Sequence, residues 1–380
     1  MNHAIQLSNS PKDIITSVNF YKGDQKLILT TFSGDITIYE KLDKLRYSPN
    51  PQSIKLPSNT TSISIPILDS CLIADSLYLA LANGELALFD LQSEQVIESI
   101  TLSELGLQCI AYNEQQNLII VGSWDGTISF LRPNSTKSGT VSVTTTLIHK
   151  LQLKPEKNKK VQIMDTQSNI LIFTTSDSRT TVYDISNVPV SLQTPIFEQK
   201  NGFQYPVSTS LKLIPTLNGF IEGSIEGKVS VEFFPSDVLN KIDTSLNSNS
   251  STSNNDNTNS NNYAFKCHRK RMNDGIEYVN PINDIIFIDN ESKFATCSNR
   301  VDGAICVWDY KTKKRMKQYK GFDLDIVKLR FIKLRSDGVD GGLAMLVVVM
   351  SDLGFKNSAA LNKDDSQVAR QDSKVFFKFV

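Results

Sequence analysis

Apolar and polar residues alternate with period two along most of the chain, as where Asp35, Thr37 and Tyr39 interleave with Ile36 and Ile38. That period marks half-buried strands, and no segment sustains the 3.6-residue repeat of an amphipathic helix, so an all-β fold is predicted. The strands recur as a unit: an apolar strand ending in small residues, a turn with Gly or Asp, then a strand ending in an aromatic or acidic residue. Six copies stand out, LILTTFSGDITIYE, LYLALANGELALFD, LIIVGSWDGTISFL, LIFTTSDSRTTVYD, GFIEGSIEGKVSVEFF and FATCSNRVDGAICVWD.

The turns of these copies fall at Gly34, Gly84, Gly126, Ser178, Gly227 and Gly303, with spacings of 50, 42, 52, 49 and 76 residues. All but the last lie near the period of about 40 to 45 residues that propeller blades show. The long spacing holds one unit plus an insertion. A weaker seventh unit is built from Ile326 to Ile332, Leu343 to Asp352 and Lys374 to Val380. Radial repetition protects the edges of short sheets, so the prediction is one domain, 1–380, folded as a seven-bladed WD40-type β-propeller. An N-terminal strand near Ala4 to Leu7 is expected to close the ring on the last blade.

Composition narrows the function. With 40 Lys plus Arg against 40 Asp plus Glu, the chain has no global field to draw it onto nucleic acid or an anionic membrane, so electrostatic recognition must be local. The longest apolar run, Leu343 to Met350, is far below the roughly 20 residues of a membrane-spanning helix. The N-terminus, MNHAIQLSNSPKD, lacks the basic start and apolar core of a signal peptide, which predicts an intracellular protein. Cys71, Cys109, Cys267, Cys297 and Cys306 have no paired spacing and read as reduced, buried thiols.

Within the fifth unit, residues 235–262 read as a disordered Asn/Ser-rich insertion, because the run Asn247 to Asn262 has nothing to bury. It ends in YAFKCHRKR, Tyr263 to Arg271, which admits several chemistries. Structural zinc needs four ligands in paired spacing, and beside Cys267 and His268 the chain offers only His3 and His149 as further histidines. No metal is expected. Nucleophile elbows, phosphate loops, zinc-protease and dinucleotide motifs are absent too, so the chain is predicted to have no catalytic residues and no cofactor. Basic clusters at His268 to Arg271, at Lys311 to Lys320 and at Lys154, Lys157, Lys159 and Lys160 read as solvated loop charge, with no direct nucleic-acid binding.

The remaining chemistry is phosphate recognition. If VSVEFF and YAFKCH form an outer hairpin, paired residue numbers have a constant sum, and its parity decides which side chains share a face. A sum of 496 sets Val229 opposite Cys267, Val231 opposite Phe265 and Phe233 opposite Tyr263. The other face then pairs Lys228 with His268, Ser230 with Lys266 and Glu232 with Ala264. An odd sum would mix charge into the apolar face, so burial selects the even register. Lys228 and Lys266 become diagonal neighbours with Cβ atoms roughly 7 Å apart, close enough to clasp one phosphate. An ordinary exposed lysine pair fits the same pattern, and the residues alone leave both readings open.

GSWDG of the third unit, CVWD of the sixth, and IEGKVSVEFF followed by YAFKCHR resemble the WD-repeat member of the Bub (budding uninhibited by benzimidazole) mitotic checkpoint family over most of the chain. The messenger-RNA export propellers of the nuclear pore are its relatives. The resemblance implies a non-enzymatic spindle-checkpoint adaptor, nuclear and at the kinetochore in mitosis, acting as a monomeric propeller within hetero-complexes. It implies that Lys228 and Lys266 hold the phosphothreonine of Met-Glu-Leu-Thr motifs on a kinetochore scaffold. It also implies a top-face site, at Trp124 and at Phe32 where a second tryptophan is usual, for the GLEBS motif of a Bub-type kinase and a Mad-type checkpoint protein. A family arginine before the fifth blade has no counterpart in QYPVSTSLK, where Lys212 is left as a candidate substitute.

Overall fold

Each predicted unit folds as an antiparallel sheet whose strands run outward from a central channel in chain order. The computed structural model describes residues 4–43, 46–56, 64–134, 144–153, 159–205, 207–246, 262–271, 273, 275–289, 291–333, 344–353 and 371–379. Seven such sheets form the blades of an all-β propeller. The seventh is completed as expected, for Ala4–Gln6 pairs antiparallel with Lys374–Phe379, joining the two ends of the described chain in one blade.

The turns picked out by spacing do share one backbone conformation. Gly34, Gly84, Gly126, Ser178, Gly227 and Gly303 all have φ between 54° and 85°, the left-handed region that reverses the chain between the second and third strands. At Gly84 there is a steric demand as well, since a Cβ would lie 2.0 Å from the carbonyl oxygen of Ser103. A second repeated feature is invisible to spacing. The innermost strands of six blades carry a bulge near their start, at Ile15/Ser17, Ile67/Asp69, Leu107/Cys109, Val161/Ile163, Ser208/Ser210 and Ile326/Lys328. A bulge sharpens twist and re-aims a side chain, here at the ring face that carries the turns.

The core lies between blades. Seven apolar clusters each draw from two neighbouring blades, one cluster to each junction around the ring. Polar staples join the inner strands: Asp69 accepts from the Ile110 amide at 3.2 Å, Asp165 from Leu213 at 2.9 Å and Asp284 from Leu329 at 2.8 Å. Cys109, Cys267, Cys297 and Cys306 are buried and Cys71 is half-buried, all five as free thiols. Burial pushes Cys71 up to about 12 and Cys306 up to about 11, so neither is a ready nucleophile.

The insertion departs from expectation over its first part. Ser236–Leu246 forms an α-helix, α1, with Val238 and Ile242 buried beside Phe234 and Phe220 at the junction of blades four and five. Val238, Leu239 and Ile242 make one helical stripe, and Asp237 sits in the first turn, where the helix dipole favours an acid. The polar run Asn247 to Asn262, which has nothing to bury, begins only after this stripe ends. The expectation of disorder for 247–261 lies outside the described residues. Ile242→Ala should lower unfolding stability by about 2 to 4 kcal/mol, measured by denaturant titration, if α1 is a packed part of the blade.

Candidate peptide-binding site

Blade five presents its outer hairpin as Lys228–Phe233 paired with Tyr263–Lys266. Its register has a sum of 494: Lys228 lies opposite Lys266, Val229 opposite Phe265, Ser230 opposite Ala264 and Val231 opposite Tyr263. Parity and faces therefore agree with the sequence argument, while the pairing is two residues out. The consequence is a closer pair. Directly opposed side chains have Cβ atoms about 5 Å apart, and like charges so placed destabilise a sheet. Two lysines in that position are a strain that a bound anion would relieve.

The two are not equivalent. Lys266 is exposed, and among the described residues no carboxylate is within ion-pair reach of it. Lys228 is half-buried and its Nζ lies 2.8 Å from Glu226 Oε2. Burial raises the affinity of Glu226 for a proton, but the Lys228 hydrogen bond and the Gln204 and Tyr205 amides outweigh it and hold the carboxyl below the usual range. Glu226 is thus an anion at neutral pH. A cleft of about 450 Å³ opens beside the pair, walled by Lys228, Ser230 and Glu232 on one strand, Ala264 and Lys266 on the next, and Phe203 from the linker after blade four. That size is in the range of small-ligand clefts.

His268 does not join the lysines. It leaves the strand with φ of 50°, its side chain fully buried, Nδ1 2.6 Å from Asp302 Oδ2 and Nε2 2.8 Å from Thr296 Oγ1. Trp308 donates its indole N–H to the same Thr296 oxygen at 3.0 Å. With Nδ1–H donating to Asp302, the Thr296 hydroxyl donates to Nε2, and the four side chains form one directed chain across blade six. The expected pairing of His268 with Lys228 is corrected here: a buried network outcompetes the exposed face. Arg269 is also engaged, with Nη1 2.9 Å from Glu277 Oε2 and Nη2 donating to the Glu226 carbonyl at 3.0 Å.

The other basic clusters resolve differently. Lys314–Lys320 is the outermost strand of blade six rather than a loop, and its exposed charges guard a free edge against pairing with another sheet. Lys159 pairs with Asp177 at 3.2 Å, while Lys154 and Lys157 lie outside the described residues. No group of three His, Cys, Asp or Glu side chains is placed to hold a metal among the described residues.

On the turn-bearing ring face, Trp124 is half-buried in the turn of blade three. Its ring rests on Gly106, where a Cβ would come within 2.7 Å of Cζ3, and its indole N–H donates to Gln108 Oε1 at 2.5 Å. Gln108 is the extra residue of that blade's inner bulge. Phe32, 47% exposed, occupies the equivalent turn of blade one. The two stand on one face but belong to non-adjacent blades. Lys212 is held by Asp165 at 2.8 Å on the inner strands, so its charge is already matched. Sequence reasoning passed over Leu105, Tyr205, Val207 and Ile225, exposed apolar residues of the linkers and turns on this face. Single exposed apolar residues carry no sequence signal of their own.

Comparison with known proteins fits this architecture. Residues 2–205 match the family described as NUP159/214 beta propeller. The chain is 23% identical to Mitotic checkpoint protein BUB3.1 of Arabidopsis thaliana, over 98% of this chain and 94% of that protein. Its match to Mitotic checkpoint protein bub-3 of Caenorhabditis elegans, 26% identical, spans 60% of this chain but only 56% of the relative. The mRNA export factor GLE2 of Chaetomium thermophilum is 23% identical over 87% of this chain and 81% of its own length. A chain in the crystal structure of the Mitotic Checkpoint Complex superposes with a TM-score of 0.63 at 11% identity, covering 100% of this chain and 94% of that one, a likeness of fold. From ring closure, repeated turns and these matches together, the chain belongs to the NUP159/214 beta-propeller family and is a Bub3-like WD-repeat propeller.

Proposed function

We propose that this propeller is a non-enzymatic adaptor of the spindle assembly checkpoint, nuclear and kinetochore-associated, that binds phosphorylated Met-Glu-Leu-Thr motifs of a kinetochore scaffold at Lys228 and Lys266. The observation that carries the reading is the direct opposition of these two lysines beside a cleft, an arrangement unfavourable to the free sheet. The relatives named for the mitotic checkpoint support it. The ring face of Trp124 and Phe32 is the proposed seat of a GLEBS motif from a Bub-type kinase and a Mad-type protein. A phosphorylated scaffold on the side and a partner peptide on the face would let one rigid ring bring the two together. The second reading, an adaptor in messenger-RNA export, is favoured by the match to the GLE2 protein, but it leaves the opposed lysines without a role.

Affinity purification from mitotic and interphase cells distinguishes the two. Checkpoint kinase and phosphorylated scaffold should be enriched in the mitotic sample, whereas enrichment of nuclear-pore and RNA export proteins alone would reject the checkpoint role. For the ring face, Trp124→Ala should weaken a GLEBS peptide roughly ten-fold or more by calorimetry, far more than it lowers thermal stability. A variant that instead unfolds marks Trp124 as structural.

A further inference from the structure

Between Lys311 and Lys320 the chain carries six Lys or Arg and no acid, although its total charge is zero. The outer strands of the other six blades carry at most one Lys or Arg each, whereas Lys314–Lys320 alone carries four, so the blade fold does not require them. All six cations are exposed, and among the described residues none lies within ion-pair reach of a carboxylate. The acids that bracket the run are already engaged. Asp309 accepts from the Lys311 and Thr312 amides at 2.9 and 3.1 Å, and Asp323 pairs with Lys374. Pairing with Ala304–Asp309 divides the cations between two faces: Lys317 and Tyr319 lie opposite Val307 and Ile305 toward blade seven, whereas Arg315 and Lys320 lie opposite Trp308 and Ala304 toward blade five. Blade seven adds a further cation. The ammonium groups of Lys317 and Lys378 stand 5.0 and 4.9 Å from the centroid of the Tyr319 ring, which holds two like charges together at the rim.

We propose that this rim is a docking surface for an extended acidic segment of a partner protein, which sets its carboxylates against Lys314, Lys317 and Lys320. The charges that deter a neutral or basic strand from the free edge are the same ones that admit an acidic strand. Met316 is the extra residue of a bulge, so Lys317–Lys320 is left as regular edge with one side unpaired, and a polypeptide can add to it through its own amides and carbonyls. Alternate residues of a strand stand about 7 Å apart, so acids at every second position of the partner match the pitch. Nucleic acid fits less well. With two ammonium groups over it the Tyr319 ring offers no stacking platform, and a phosphate backbone makes no use of a free sheet edge. The Lys228–Lys266 cleft is a separate site, open beside Phe203 of the linker after blade four.

The test is fluorescence anisotropy with three labelled probes: a short peptide alternating Glu and Thr, its analogue alternating Gln and Thr, and a single-stranded oligothymidine of similar length. Each is titrated against wild type, against the rim variant Lys314→Glu, Lys317→Glu, Lys320→Glu, and against the control Lys12→Glu, Lys55→Glu, Lys200→Glu. The control changes net charge equally at exposed lysines elsewhere. Wild type should bind the acidic peptide at least about ten-fold tighter than the neutral one, and raised salt should weaken it. In the rim variant three attractions become three repulsions, each change worth a factor of about 1.5 to 5, so affinity should fall about ten-fold or more. The control should stay within about two-fold of wild type. Should charge reversal prevent folding, Lys314→Gln, Lys317→Gln, Lys320→Gln decides the matter, with an expected loss of about three-fold or more. Equal affinity of wild type for the acidic and neutral peptides, or an equal loss in the control, overturns the inference. Tighter binding of the oligothymidine than of the acidic peptide makes the rim a nucleic-acid surface and overturns it as well.

Discussion

Lys228→Glu should lose measurable binding of a phosphorylated Met-Glu-Leu-Thr peptide at concentrations that saturate the wild type. The change replaces a donor with a repelling carboxylate and sets it beside Glu226, so attraction becomes repulsion within the same cleft. Each charge-assisted bond to the phosphate contributes about 1.5 to 3 kcal/mol, so Lys266→Ala should weaken the peptide roughly ten-fold or more. Lys228→Ala should be worse than Lys266→Ala, because it also leaves the neighbouring, buried Glu226 carboxylate uncompensated. Stability separates them too. Lys266 is exposed and its loss removes a like-charge repulsion, so unfolding should change by no more than about 0.5 kcal/mol. If both alanine variants keep full discrimination between phosphorylated and unphosphorylated peptide, the pair is surface charge only.

His268→Ala should be the most damaging single truncation near the site, costing about 3 kcal/mol or more of unfolding stability. It empties a fully buried position and strips the partner from the buried Thr296 hydroxyl and from the half-buried Asp302 carboxylate in the turn of blade six. Trp308→Phe gives the graded control, removing one terminal donor while an aromatic ring still packs on Phe265, whose centroid lies 4.6 Å from that of Trp308. Its cost should be near 1 kcal/mol, as for one typical hydrogen bond. Denaturant unfolding orders the two variants. Phosphopeptide affinity should fall in His268→Ala as well, because His268 anchors the chain two residues after Lys266.

Much of this was legible in the chain. Period two and the left-handed turn residues marked six blades, since a reversal between the second and third strands needs an αL residue wherever it occurs. The face of the hairpin was legible too, because burying Tyr263 and Phe265 fixes parity. Parity cannot fix register. The step of two is set by long-range partners: the Cys267 amide bonds the Gly227 carbonyl at 2.9 Å, and His268 turns inward to groups 28 and 34 residues further along. α1 escaped because its stripe is short, and a short stripe forms a helix only when the junction of blades four and five offers Phe220 and Phe234 to cover it. Glu226 escaped for another reason. In sequence it is one acidic turn residue among many, and its partners are a lysine two residues on and a linker amide 22 residues before it.

The central claim is that this ring reads a phosphate, and calorimetric titration of the wild type with one Met-Glu-Leu-Thr peptide in phosphorylated and unphosphorylated form tests it most directly. The account predicts binding of the phosphorylated form with at least about ten-fold preference, weakening as salt is raised. Equal affinity for the two forms would contradict it.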